Sequence, residues 1–162
     1  MGGRGTLPKP DIKAEGARVM ALDDASKKMS KSSPNAASYV AFTDDAASIT
    51  KKIKRATTDS SGEVRAGAEK PELTNLLTIF SLFSGQSIAE LEVRYDGKGY
   101  GAFKSDLAET IVTAIEPVQK RLAELDANPD YALSVLRAGA DKARQRAAAK
   151  MDLVRDRIGL TL

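Results

Sequence analysis

The sequence predicts a mainly α-helical protein, a helical bundle of about five helices preceded by one short strand. Ala and Leu are abundant, whereas aromatic residues make up 5% of the 162 positions and Trp is absent. Apolar residues recur at helical spacing beyond residue 43, and Gly and Pro stand where such helices would end and begin. These three observations favour helices packed on helices over a β-sandwich or barrel.

The N-terminal segment is predicted to lie outside the bundle. Residues 1–10 hold three Gly and two Pro and predict irregular chain,. Residues 17–22 form a short apolar run that predicts a buried strand, and residues 26–35, rich in Lys and Ser, predict a loop,. Because a lone strand cannot form a sheet, we expect the C-terminal part of a larger protein. Its domains would be residues 1–34, a remnant, and residues 35–162, a helical region.

The first two helices have clear start and stop signals. Thr43 or Asp44 is expected to cap the first helix, which ends near Thr57,. Pro71 suits the first position of the second helix, and Gly85 suits the position just after its end,.

Three further helices follow. Ser87 and Glu90 have the spacing of a capping box, which begins the third helix,. Residues 96–101 separate it from a long amphipathic helix in which Pro117 predicts a kink,. The last helix begins at Pro129 and is Ala-rich.

The composition excludes several kinds of chemistry. Without His or Cys there is no imidazole base, no thiolate nucleophile, no disulfide and no zinc site built on those ligands. Acidic pairs such as Asp23-Asp24 are better explained by turns and caps, so we expect no metal ion held by protein ligands. The net charge of +3 permits an RNA or phosphate partner,. No apolar run has the length of about 18 residues that a membrane span needs, and we expect a cytoplasmic protein.

One loop suits phosphate chemistry, with the sequence Lys28-Met29-Ser30-Lys31-Ser32. Two lysines three residues apart, flanked by hydroxyl groups, can place positive charge around a polyphosphate. Nucleotidyl transfer uses such a loop, because ammonium groups stabilise the charge that gathers on the departing pyrophosphate. No general base is needed when the nucleophile is already a carboxylate. The alternative is a solvated basic loop.

These five residues match the KMSKS signature of the class I aminoacyl-tRNA synthetases at every position. From about residue 7 to residue 162 the chain resembles the bacterial tryptophanyl-tRNA synthetases; the tyrosyl-tRNA synthetases share the signature but differ around residues 97–101 and are the second choice. The family's N-terminal half has no counterpart here, including its HIGH-like motif, most of its Rossmann sheet, the tryptophan pocket and most of the dimer interface. The stretches that carry the resemblance are residues 16–20, 58–60, 76–77, 84–87 and 97–104.

The resemblance implies that residues 1–34 are the remnant of a Rossmann-type α/β catalytic domain, with its last strand and its KMSKS loop, and that the helices are the anticodon-side region. It implies activation of tryptophan with ATP, with Mg²⁺ carried by the nucleotide, and transfer of tryptophan to tRNA(Trp). It also implies a homodimer.

The same resemblance assigns roles to the loop residues. Lys28 and Lys31 would be catalytic and carry the phosphate charge, with Lys31 as the transition-state contact. The backbone of Val19 would face the adenine. The residues expected to bind ATP are Val19, Lys28, Met29, Ser30, Lys31 and Ser32.

Contacts with tRNA are expected at Lys98, Lys104 and Arg144. For Lys98 and Lys104 this is the second interpretation, because residues 97–101 first of all predict a tight turn whose glycines need positive φ. The last helix carries seven basic residues from Arg137 to Arg157, which would meet the anticodon arm or form a solvated face.

The sequence leaves two functions open. The first is the C-terminal half of a tryptophan–tRNA ligase, with the ATP-closing loop and the helical anticodon-side region; whether a second polypeptide completes it is left open. The second is a helical module that binds tRNA or a protein partner and has kept the loop without the reaction.

Overall fold

The computed structural model describes residues 9–11 and 16–160. They divide into two compact units, one with residues 11 and 16–119 and the other with residues 9–10 and 120–160. The irregular chain predicted for residues 1–8 lies outside the described residues. The domain boundary expected after Pro34 stays a prediction.

The predicted mainly α fold is confirmed over the described residues, which form five α-helices and one short 3-10 helix. The helices are α1 (Ala46–Arg55), α2 (Pro71–Ser84), α3 (Ile88–Tyr95), α4 (Gly99–Asp126) and α5 (Pro129–Arg157), and the 3-10 helix is Ala36–Ser38. No single described helix is long and apolar enough to cross a membrane, and α2 with α3 meets that test only as a pair bent by 108°.

The strand expected at residues 17–22 is not formed as a regular element. Its place is taken by a single antiparallel bridge between Met20 and Lys28. The chain reverses direction between the two residues, so only a few residues on each side can pair. On the opposite edge, a side chain of α2 rather than a strand contacts Met20. A ladder therefore does not extend in either direction.

The cap of α1 differs from the expectation by one residue. Asp45, not Thr43 or Asp44, is the N-cap, and its carboxylate accepts a hydrogen bond of 2.7 Å from the Ser48 amide. Asp44 instead forms an ion pair of 2.6 Å with Lys52 from the last turn of α1. This pairing turns the Asp44 carboxylate away from the first amides of the helix, and Asp45 takes the cap.

The predicted boundaries around α2 and α3 are confirmed. Pro71 occupies the start of α2, and Gly85 ends it with φ of 73° while its amide donates to the Ser81 carbonyl. Ser87 and Glu90 form the complete capping box, in which Glu90 Oε2 accepts a 2.7 Å bond from the Ser87 amide. These caps fix the sharp turn between the two helices.

Three aromatic rings form the centre of the core in the unit of residues 16–119. Phe80 of α2, Tyr95 of α3 and Phe103 of α4 are almost completely buried. Their ring centroids are 5.4–5.9 Å apart, within the range of favourable aromatic pairs. Each ring comes from a different helix, so the trio joins α2, α3 and α4. Buried aliphatic residues around it include Ile49, Ile53, Leu73, Leu76, Leu77, Leu91, Leu107 and Ile111.

The aromatic centre gives a stability prediction. Phe103→Ala removes a fully buried ring and is expected to lower the free energy of unfolding by about 3–5 kcal/mol. Phe42→Ala, at a ring that is 60% exposed, is the matched control and is expected to cost less than about 1.5 kcal/mol. Urea unfolding followed by circular dichroism measures both. Equal losses would contradict the central position of Phe103.

Candidate functional site

The loop that carries the KMSKS residues begins as a tight hairpin. The Ala21 amide donates to the Lys27 carbonyl at 2.8 Å, and the Met29 amide donates to the Val19 carbonyl at 3.0 Å. Met20 and Lys28 lie opposite each other between these two bonds. The hairpin therefore fixes the backbone of the first two signature residues.

Asp24 organises the tip of this hairpin. Its carboxylate accepts bonds from the Ser26 hydroxyl at 2.6 Å and the Ser26 amide at 3.0 Å, and it forms an ion pair of 2.7 Å with Lys27. The bond from Lys27, with those from Ser26, lowers the pKa of Asp24 to about 2. Asp24 thus stabilises the turn, as its position in the sequence predicts.

Within the signature segment, one side chain points inward and the two lysines are exposed. Met29 is half-buried and packs against the hydrophobic core. Lys28 and Lys31 are exposed, and neither forms an ion pair within the described part of the chain. The Ser33 amide donates to the Ser30 carbonyl at 3.1 Å and closes a turn. The segment thus presents two exposed ammonium groups, without an acidic partner among the described residues, on a backbone anchored at Met29.

Val19 lies directly beside the signature segment. Its carbonyl accepts the Met29 amide, and its side chain is partly buried against the core. Val19 and Met29 also line one apolar cavity of about 230 Å³, together with Phe42, Leu82 and Phe83. The structure therefore places Val19 beside Met29, and the ATP-binding role that the resemblance assigns to them stays a prediction.

Asn75 of α2 is a residue of this site that the sequence reasoning missed. Its side chain is 6% exposed. Asn75 Oδ1 accepts the Met20 amide at 2.9 Å, and Nδ2 donates to the Met20 carbonyl at 2.9 Å. A lone amide among Leu73, Leu76 and Leu77 was the available signal, because a buried polar side chain needs partners.

A family model described as "tRNA synthetases class I (W and Y)" matches residues 6–116. The chain belongs to this family. The match includes the KMSKS hairpin and α1 to α3 and extends into α4.

Curated relatives of this synthetase chain are named tryptophan–tRNA ligases. The Bacillus anthracis protein is 46% identical over 157 residues, which are 96% of this chain and 47% of that protein. The Bacillus subtilis protein is 44% identical over 156 residues, again 96% of this chain and 47% of that protein. The chain thus spans about half the length of the curated relatives it matches.

Solved synthetase structures have the same fold. Tryptophanyl-tRNA synthetase from Mycoplasma pneumoniae aligns with a TM-score of 0.79 and 30% identity over 90% of this chain and 46% of that one. The Campylobacter jejuni enzyme, complexed with ADP and tryptophan, aligns with a TM-score of 0.66 and 32% identity over 96% and 47% of the two chains.

Lys104 of this synthetase chain is buried, which corrects the expectation that it contacts tRNA. Its side chain is 8% exposed, and Nζ donates to the Ala56 carbonyl at 2.8 Å and to Thr58 Oγ1 at 3.0 Å. The Lys104 ammonium group is therefore hydrogen-bonded inside the protein. The neighbouring Thr57 amide donates to the Leu22 carbonyl at 2.8 Å, so Lys104 supports the segment that holds the hairpin.

The glycine-rich segment at residues 97–101 forms the expected tight turn. Gly97 and Gly99 have φ of 71° and 70°, a conformation that glycine adopts without strain. α4 begins at Gly99, so Gly101 lies in its first turn. Lys98 is exposed, with Nζ 5.8 Å from the centre of the Tyr95 ring.

Tyr100 ties this turn to the loop after α1. Its hydroxyl donates to Asp59 at 2.8 Å and lies 3.1 Å from Ser61 Oγ. Bonds from the Ser61 hydroxyl and amide lower the pKa of Asp59 to about 2. Lys70 completes the cluster by donating to Ser61 Oγ at 2.8 Å. The resembling segments 58–60 and 97–104 are thus structural partners of each other.

The basic residues of α5 lie on two sides of the helix. Arg144, the expected tRNA contact, forms an ion pair of 2.7 Å with Asp141. Three other basic residues recur at four-residue spacing and share a face: Lys142, Arg146 and Lys150. Lys142 lies about 200° around the helix axis from Arg144. These three form no ion pair among the described residues, and we call them the α5 basic stripe.

The described residues contain no group of three or more His, Cys, Asp or Glu side chains that could hold a metal ion.

The burial of Lys104 gives a pH prediction. Burial lowers the pKa of the Lys104 ammonium, so the unfolded chain keeps this proton to higher pH than the folded protein does. Stability from this group therefore rises with pH between the folded and unfolded pKa values. The free energy of unfolding of the wild type, relative to Lys104→Met, is expected to increase as the pH rises toward 10.5, the ordinary pKa of lysine. Lys98→Met is the control, and a pH-independent difference for Lys104→Met would refute the expectation.

Proposed function

We propose that this chain is the C-terminal half of a tryptophan–tRNA ligase. It supplies the ATP-closing KMSKS loop and the anticodon-side helices, and the sequence that its relatives carry N-terminally supplies the rest of the catalytic domain. The names of the curated relatives support tryptophan as the amino acid. A homodimer, Mg²⁺ and a cytoplasmic location stay predictions.

One observation carries the proposal. The complete KMSKS signature stands on an anchored hairpin in a chain of the synthetase family, with Met29 packed against the core and both lysines exposed. A solvated basic loop, the alternative, gives no reason for the apolar anchor at Met29. The neighbouring Lys27, outside the signature, is paired with Asp24.

The chemistry requires placed positive charge. The tryptophan carboxylate attacks the α-phosphorus of ATP, a new phosphorus–oxygen bond forms, and the bond to pyrophosphate breaks. Negative charge increases on the departing pyrophosphate, and the ammonium groups of Lys28 and Lys31 stabilise it. Mg²⁺ carried by the nucleotide would add positive charge on the phosphate oxygens. Because the nucleophile is already ionised, the lack of His and Cys does not hinder this reaction.

The helices are proposed to contact tRNA(Trp) mainly through the α5 basic stripe. Its charges have no acidic partner in the described part of the chain, whereas the charge of Arg144 is shared with Asp141. Lys98, exposed in the turn before α4, is a further proposed contact. Phosphate contacts of this kind depend strongly on salt.

The enzyme proposal is tested by ATP–pyrophosphate exchange. The purified chain is assayed with tryptophan, with and without the N-terminal half of a relative such as the Bacillus subtilis protein, and exchange is expected only when that half is added. In the reconstituted enzyme, Lys31→Ala is expected to lower the exchange rate about 100- to 1,000-fold while tryptophan affinity changes little.

Lys51→Ala, at an exposed lysine of α1, is the matched control and should leave exchange unchanged. No exchange in any mixture would favour the binding module, and equal effects of Lys31→Ala on rate and tryptophan affinity would reject the assigned role.

The tRNA proposal is tested by the salt dependence of binding. Replacing Lys142, Arg146 and Lys150 by Ala is expected to weaken binding of tRNA(Trp) and to reduce the slope of log affinity against log salt by about three. The double variant Arg144→Ala/Arg155→Ala, which removes basic residues paired with Asp141 and Asp152, is expected to change the slope less. Fluorescence anisotropy at several salt concentrations gives both slopes, and an unchanged slope for the triple variant would leave the stripe as solvated surface.

A further inference from the structure

We propose that Asn75 is a positioning residue that holds the KMSKS loop in place by pairing with the backbone of Met20. The inference rests on the proposed ATP site and assigns to that site a residue from α2, far from the signature in sequence. It concerns how the loop is held rather than which groups touch the nucleotide.

The hydrogen-bond pattern of the hairpin explains why Met20 needs such a partner. The two hairpin bonds use the carbonyl of Val19 and the amide of Ala21, so the amide and carbonyl of Met20 itself point to the opposite edge. In a sheet, a neighbouring strand would satisfy both groups. Here the Asn75 side chain accepts from the amide and donates to the carbonyl, each at 2.9 Å.

The free-energy cost of burying an amide indicates that Asn75 does more than fill space in the core. It lies on α2 beside Leu73, Leu76 and Leu77, which are at most 1% exposed, and is itself 6% exposed. Placing an amide in such surroundings is unfavourable unless its donor and acceptor are both used. An apolar residue of similar size would fill the position, but it would leave the Met20 amide and carbonyl without these partners.

The contact lies one step from the proposed catalytic groups. Met20 is flanked in sequence by Val19 and bridged to Lys28, which in turn precedes Met29. A shift of Met20 away from α2 therefore moves the residue assigned to the adenine and the first signature lysine together. No other described side chain bonds to the Met20 backbone, so Asn75 sets the distance between the loop and the bundle at this point.

The test compares Asn75→Leu with Thr78→Val in the 162-residue chain. Thr78 lies one turn further along α2, and its hydroxyl bonds to Thr74 within the same helix, which makes it a matched control. Amide hydrogen exchange is followed by NMR, and affinity for Mg²⁺ with a non-hydrolysable ATP analogue is measured by calorimetry. In Asn75→Leu the Met20 amide is expected to exchange about tenfold faster or more, with weaker analogue binding, whereas Thr78→Val matches the wild type.

The amide-exchange measurement and the binding measurement distinguish failure of the Asn75 proposal from failure of the proposed ATP site. Unchanged exchange at Met20 would overturn the proposal, and so would faster exchange with unchanged affinity for the analogue. If the wild-type chain binds the analogue neither alone nor with the added N-terminal half of the Bacillus subtilis relative, the proposed ATP site fails, and the exchange rates alone decide whether Asn75 holds the loop.

Asn75→Asp provides a second variant that keeps the shape of the side chain. An ionised carboxylate accepts from the Met20 amide but cannot donate to its carbonyl, whereas a protonated carboxyl group does both. In either protonation state the side chain keeps an acceptor for the Met20 amide. Protection of this amide, corrected for intrinsic exchange, is therefore expected to be greater in Asn75→Asp than in Asn75→Leu. Equal loss of protection in the two variants would count against the proposal.

Discussion

The paired hydrogen bonds between Asn75 and Met20 join the hairpin that carries the KMSKS residues to the helices. Backbone amide and carbonyl groups away from water need partners, and the hairpin has only one bridge of its own. Helix α2 and the segment after α1 supply what a sheet would otherwise supply. Asn75 holds Met20, and Thr57 donates to Leu22.

The position of Asn75 depends on how α2 is packed. Its neighbours on the helix are buried leucines, and Phe80 joins Tyr95 and Phe103 in the aromatic centre. The same packing brings α4 close enough for Lys104 to reach the segment at residues 56–58. Among the described residues no buried polar side-chain atom lacks a hydrogen-bond partner. The loop and the hydrophobic core are therefore parts of one packed arrangement.

The charges of the chain fall into two groups. Many are neutralised locally, including Lys27 by Asp24, Lys52 by Asp44 and Arg144 by Asp141. Lys28 and Lys31, and the α5 basic stripe, have no such partner among the described residues. Unpaired exposed lysines and arginines are available for phosphate groups, and phosphate recognition by placed cations needs neither His nor Cys. The composition is thus compatible with adenylation because that reaction depends on electrostatic stabilisation.

The sequence by itself determined the helical fold, most helix ends and the signature loop, because each depends on residues close together in the chain. Apolar spacing predicted α1 to α5. Local motifs correctly predicted the capping box at Ser87 and the glycine that ends α2, for the same reason. Local signals failed where distant residues compete. Asp44 pairs with Lys52 and does not cap α1. A side chain of α2 stands in place of a neighbouring strand at residues 17–22. Packing buries Lys104, which donates to the Ala56 carbonyl. The tertiary structure alone decided that Asn75 pairs with Met20, because their contact joins residues 55 positions apart and arises only when α2 is packed in the core.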